Sequence, residues 1–213
     1  MPPAAKRSAG RPKIPLTRED IVAIAIGAFA DHGYAGASMR IIAERVGIRK
    51  SSLFHHFVSK DALYDAVFAN LLEELSGLLE GLGGDWLTQL DTLGDRLTGW
   101  LGAHPHASRL LMREIVSSGP VLDGTTSQAI HGTMAATAAF LQEGMRQGAI
   151  IDSHPGHLAV SIVGLHLTWF AAAPVSTGVA GCDVLTATAI QQRKDEVRSQ
   201  VRRLCGAVQP PHY

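Results

Sequence analysis

The sequence predicts an all-α protein of about nine helices, with an N-terminal three-helix unit followed by a larger helical body. Three observations predict it. Apolar residues recur at helical spacing through most of the 213 residues. Strand-like alternation is nowhere sustained, and residues that start or stop helices stand at the ends of the periodic segments. A composition of 46% hydrophobic and 18% charged residues is that of a globular chain.

The opening "MPPAAKRSAGRPKIPL" has no apolar periodicity and reads as a disordered basic arm, residues 1–16. Thr17 caps the first helix, with Glu19 and Asp20 in its first turn and Ile21, Ile24, Ala25, Ala28 and Phe29 as its apolar stripe. Gly33 is expected as a left-handed stop. Ser38 caps a short second helix, "MRIIAERV", ending at Gly47, and a short third helix runs through "KSSLFHHF". Ser59 caps a fourth that starts at Lys60 and extends toward Leu82. Leu87, Leu90, Leu93, Leu97 and Trp100 mark the next helix, and Pro105 suits the first turn of the one after it. Further helices are expected over about 126–147, about 156–173 and about 186–207, with a glycine-rich loop at "STGVAGCD".

Function classes narrow quickly. No charged n-region followed by an apolar core stands near Met1, so no signal peptide is expected. The uncharged run from Ser153 to Cys182 approaches the length of a membrane span, but His166 interrupts it and Pro174 ends it, so a buried helix is the expectation. Cys182 and Cys205 alone make neither a disulfide framework nor a zinc quartet, which points to a cytoplasmic protein. His104, His106, His154 and His157 lack carboxylate or cysteine partners at ligand spacing, so no metal is expected. No nucleophile elbow, phosphate loop or dinucleotide fingerprint is present, so no catalytic residue and no cofactor are assigned.

Net charge is zero but unevenly spread. Residues 1–60 carry ten basic and four acidic side chains, and the remainder nine and fifteen. A head of +6 on a body of −6 points to a polyanionic partner for the head. Within the head, Ala43, Gly47 and Leu53 have the spacing of a helix-turn-helix: a small residue for close crossing, a glycine for the turn and a large apolar lock. On a wheel of ~100° per residue, Leu53 and Phe57 fall on one face and His56 leans toward it. Lys50, Ser51, Ser52 and His55 form a polar outward face, with chemistry suited to base edges and phosphates in a major groove. A helical interaction module or a metal-binding protein without DNA binding is the alternative reading.

Residues 17–68 resemble the DNA-binding domain of TetR-family transcriptional regulators, through the apolar first helix, "HGY-GAS", "IIAERVGI" and above all "LFHHFVSKDAL". The resemblance implies a DNA-binding unit over residues 17–62 and a ligand-binding and dimerisation unit over 63–213. It implies a repressor that binds palindromic double-stranded DNA as a homodimer and is released by a small-molecule effector. Ser38 and Arg40 would lie near the DNA backbone, Lys50, Ser51, Ser52 and His55 would meet the groove, and Lys60 would grip phosphate. Phe54 stands where the family usually has tyrosine, which leaves apolar contact only. Arg49 stands where a capping serine is common, which weakens the cap and adds a cation. "GRPK" resembles a minor-groove hook, which would place Arg11 in a narrow A·T groove. The last two long helices would form the dimer bundle. Trp100, Met112, His131, Met134, Phe140, His166, Trp169 and Phe170 are the expected lining of an apolar effector pocket.

Overall fold

The structure is a computed structural model that describes residues 16–116 and 125–206. Among these residues there are ten α-helices, one more than expected, and no strand.

Local chemistry starts most of them where the sequence indicates. Thr17 closes a capping box on α1 (Arg18–Gly36): its hydroxyl accepts from the Asp20 N–H at 3.1 Å, and the Asp20 carboxylate accepts from the Thr17 N–H at 2.9 Å. Ser38 caps α2 (Met39–Val46), and Ser59 caps α4 (Lys60–Gly77). Between them lies α3 (Lys50–His56), whose N-cap Arg49 makes no side-chain hydrogen bond. Asp85 caps α5 (Trp86–Ala103), and prolines open α6 (Pro105–Val116) and α8 (Pro155–Ala171). The others are α7 (Thr125–Arg146), α9 (Ala173–Ala180) and α10 (Ala187–Leu204).

Three expectations need correction. Gly33 does not stop α1 but kinks it: its φ of 67° and ψ of 173° suit glycine alone, and helical structure resumes to Gly36. The fourth helix ends at Gly77, and Arg96 holds the turn that follows by donating to the Leu78 and Glu80 carbonyls at 2.9 and 2.6 Å. The glycine-rich loop is largely helical, and forms the additional helix α9. Pro174 sits in its first turn, where a missing N–H is harmless, so the chain bends by 84° after α8 and continues helically to Gly181. Among the described residues no single helix is long and apolar enough to cross a membrane, although the bent α8–α9 pair has such a composition.

The larger core joins α1–α4 to α5, α6 and α8 through Phe29, Leu53, Phe57, Tyr64, Phe68, Leu110 and Phe170. The smaller one packs Trp86, Leu141, Leu158, Ile162, Val197 and Val201 at the other end. Helix α4 runs unbroken across residue 62. Tyr64, 2% exposed, meets Phe29, Tyr34 and Phe68 with ring centroids 4.8–5.0 Å apart. Its hydroxyl donates to Glu114 Oε2 of α6 at 2.6 Å. Asp31 of α1 accepts from Arg45 of α2 and Arg109 of α6, both at 2.6 Å. In the body, His166 of α8 is buried with its Nδ1 2.9 Å from the Thr98 hydroxyl of α5.

Two outcomes follow from these buried polar contacts. Tyr64→Phe strips a buried carboxylate of its donor and should lower urea-unfolding stability by about 1–3 kcal/mol, with Glu114→Gln restoring part of it. Burial, aided by the charge of Arg193, pushes the His166 imidazole from its ordinary 6.5 down to about 4. The unfolded chain takes up this proton below about pH 6.5 and the folded chain resists it to about pH 4, so stability is lost as pH falls through that window. Between pH 7.5 and 5 the parent should lose about 2 kcal/mol more than His166→Gln, read from denaturation at each pH.

Candidate nucleic-acid interface and internal cavity

Helix α3 has seven residues, too few to hold its shape alone. The chain fixes it from behind. Gly47 adopts the left-handed conformation (φ 80°, ψ 26°), and its N–H donates back to the Ala43 carbonyl at 2.9 Å, which turns the chain from α2 into α3. Leu53 is wholly buried, and Phe57, just past the helix, is 1% exposed beneath the Arg18 guanidinium at 4.5 Å. Arg49, Lys50, Ser51, Phe54 and His55 are left exposed, and Ser52 is half-buried. Phe54 is 41% exposed, with the Lys50 ammonium 5.6 Å from its ring centre.

His56 is exposed, not turned inward as the wheel suggested. The wheel assumes continuing helix. Phe57 instead takes extended geometry (φ −138°, ψ 116°), so its ring reaches the core by a change of backbone, and no further turn covers His56.

The flanking candidates are partly engaged. Ser38 is exposed, and its hydroxyl accepts the capping N–H of Ile41. Arg40 pairs with Glu44 at 3.0 Å on the exposed face of α2. Lys60 is half-buried, with its ammonium 2.9 Å from the Tyr34 carbonyl and over the Tyr34 ring. An ammonium has two further hydrogens, so this anchors the lysine without exhausting it. Arg11 lies outside the described residues.

A cavity of about 210 Å³ lies in the body, walled by α4, α5, α6, α7, α8 and α10 and the turn after α4. Of the eight expected lining residues it brings together Met134, Phe140 and His166. The other five stand elsewhere. Trp100 donates its indole N–H to Glu74 at 2.9 Å and stacks near His104. Met112 and Phe170 belong to the larger core. His131 is exposed on the outer side of α7. Trp169 is covered by the Arg193 guanidinium at 4.6 Å. Helical spacing marks these residues as apolar but cannot say which side of a helix meets a gap and which meets a neighbour.

The sequence reading also missed most of the wall. Leu72, Leu75, Leu93, Leu97, Leu111 and Ile115 supply its apolar surface, with Gly94 beside the His166 ring. Its charged residues are paired: Asp95 with Arg198, and Asp91 with Arg202 of α10. That ladder had a signal. Acids four residues apart on one helix and arginines four apart on another, Asp91/Asp95 and Arg198/Arg202, match in register.

Known proteins resemble this chain in sequence and in fold. The family model described as "Bacterial regulatory proteins, tetR family" matches residues 21–67, and that described as "YcdC-like protein, C-terminal region" matches residues 101–208. The HTH-type transcriptional regulator RutR of Escherichia coli (strain K12) is 26% identical over 148 residues, 68% of this chain and 69% of its own. The HTH-type transcriptional repressor KstR2 of Rhodococcus jostii (strain RHA1) is 34% identical over 76 residues, 36% of each chain. Among solved structures, the TetR-family regulator PfmR of Thermus thermophilus superposes with a TM-score of 0.68 at 17% identity, covering 93% of this chain and 100% of its own. AibR in complex with isovaleryl coenzyme A and operator DNA superposes with a TM-score of 0.69 at 16% identity, covering 88% and 97%. With both its N-terminal helix-turn-helix and its C-terminal body matched, the chain belongs to the tetR family of bacterial regulatory proteins.

Proposed function

We propose that this chain is a non-catalytic, ligand-responsive transcriptional repressor that acts in the cytoplasm on a palindromic operator as a homodimer. The observation that carries the reading is α3: a short helix locked by one buried leucine that turns Arg49, Lys50, Ser51 and His55 outward. His55 and Ser51 are the base-edge candidates, with Ser52 and Phe54 at the flanks. Lys50, Arg49, Arg40 and Lys60 supply phosphate contacts, and the Ser38 hydroxyl, held by its capping bond, sits at the start of α2. Residues 17–62 carry this surface, and residues 63–213 carry the cavity and the dimer contact.

The outward sides of α8 and α10, with Val160, Thr168 and Leu204 exposed, are the faces for the second subunit. Two-fold pairing sets two copies of α3 at a fixed spacing, which selects a palindrome. AibR, a structural neighbour, has been seen with both a small molecule and operator DNA, which supports an effector in the cavity of this chain. An effector that binds more tightly to the subunit arrangement that misfits DNA releases the operator by population shift.

Selection of bound duplexes from a random pool, with full-length protein, tests the reading. It should return a palindrome whose affinity falls steeply with salt. Recovery of no preferred sequence, or salt-independent binding, would overturn it. On the selected duplex His55→Ala should weaken binding about tenfold, in line with ~1–3 kcal/mol for a base-edge contact. Both His55→Ala and His56→Ala should leave the melting temperature within about 2 °C of the parent, since both side chains are solvated. An unchanged operator affinity for His55→Ala would remove His55 from the contact surface.

A further inference from the structure

The hydrogen-bonding state of the cavity wall restricts what can fill it. Asp95 is paired with Arg198, and Asp91 holds the Arg202 guanidinium through two hydrogen bonds. Each cavity-facing carboxylate therefore has its own cation. The Thr133 and Thr137 hydroxyls, also at the wall, each donate to a carbonyl one turn back, at 3.0 Å. Ser76 stands at the exposed rim.

His166 is different. Its ring is 2% exposed and borders the cavity. Thr98 is 1% exposed, and among the described residues the acceptor its hydroxyl meets is His166 Nδ1, at 2.9 Å. A buried hydroxyl donates to the acceptor it has. The proton on this bond is therefore threonine's, and the neutral imidazole carries its own hydrogen on Nε2. Nε2–H has no hydrogen-bond partner among the described residues. Beside it stands Gly94, where an added Cβ would lie 3.7 Å from Nε2, so the absence of a side chain leaves this edge of the ring uncovered. His166 Nε2–H is thus an unsatisfied donor at the cavity, in a space of about seven water-sized groups at ~30 Å³ each. Arg198 Nε in the same wall is buried and also lacks a partner among the described residues, but its guanidinium is charge-paired with Asp95.

We propose that the cavity takes an uncharged, largely apolar molecule of fewer than about a dozen heavy atoms that carries one hydrogen-bond acceptor, such as a carbonyl oxygen, seated on His166 Nε2–H. As the identity of the effector, this rests on the ligand-responsive reading above. A carboxylate would bring a desolvated charge to a wall whose cations are already paired, and an ammonium would face a donor.

Four probes of matched size separate the classes by calorimetry on the full-length protein: acetophenone, ethylbenzene, benzoate and benzylammonium. Acetophenone should bind about tenfold more tightly than ethylbenzene, the gain of one buried hydrogen bond, and more tightly than either ion. His166→Gln, which keeps an N–H in the same region, should retain the preference. The paired variant Thr98→Val/His166→Leu, which leaves no orphaned hydroxyl, should bind acetophenone and ethylbenzene equally. Tightest binding by an ion, a preference that survives the paired variant, or no binding of any probe would overturn the proposal. Duplex selection on the same preparation separates the two readings. A palindrome with no probe bound sinks the cavity chemistry alone, and probe binding with no operator sinks the regulatory reading alone.

Discussion

The position of the exposed face of α3 depends on Tyr64. Its ring closes an aromatic cluster with Phe29 and Tyr34 of α1 and Phe68 of α4, and its hydroxyl leaves that cluster to meet Glu114 of α6. One side chain therefore belongs to the core of the N-terminal helices and to the body at once. Burial of the phenol beside a carboxylate pushes its ionisation far above the ordinary tyrosine range, so it remains a donor wherever the protein is folded. Helix α3 contributes only Leu53 to the core from within its length. Its orientation is inherited from α1, α2 and α4, and theirs is tied to α6.

Asp31 repeats the arrangement with charge. Its carboxyl is held below the ordinary carboxylate range, chiefly by the Arg45 hydrogen bond, with Arg109 and His106 adding to the effect. The group is about one-third exposed, so the pairing is partly screened and serves more to fix the angle between α1, α2 and α6 than to add stability. Gly27 lets Arg45 approach α1, and Gly33 does the same for Arg113 of α6. A Cβ at Gly27 would stand 2.6 Å from the Arg45 guanidinium, and one at Gly33 equally close to that of Arg113.

What could be read from the sequence divides along the range of the interaction. Thr17, Ser38, Ser59, Pro105 and Pro155 act on backbone groups within three or four residues of themselves, so the helix starts they mark need no knowledge of the fold. Gly47 is legible for the same reason. His56 is not, because its exposure depends on Phe57 leaving helical geometry to reach a core built by other helices. The cavity is least legible. Trp169 and His166 stand three residues apart on one apolar helix, yet one is covered by Arg193 from α10 and the other faces a gap opposite Gly94 of α5. Aromatic content directs attention to Trp100, Trp169 and Phe170, whereas among the described residues leucine is the commonest residue of the wall and Phe140 its one aromatic hydrocarbon ring.

Helix α6 joins the cavity wall to the helices that carry α3. Leu111 and Ile115 form part of the cavity wall, while Arg109 and Glu114 hold Asp31 and Tyr64. These four residues fall within seven positions of one twelve-residue helix, so the wall contacts and the ties are rigidly joined. Movement of this segment away from the cavity must therefore shift α1 and α4 with it or break a bond to Asp31 or Tyr64. Loss of the buried Tyr64–Glu114 bond leaves a carboxylate without its donor, at about 1–3 kcal/mol, a penalty that is avoided when α4 moves with α6. The body does not need to contact α3 to move it. The physical requirement is that the two ties on α6 hold while its cavity face is displaced.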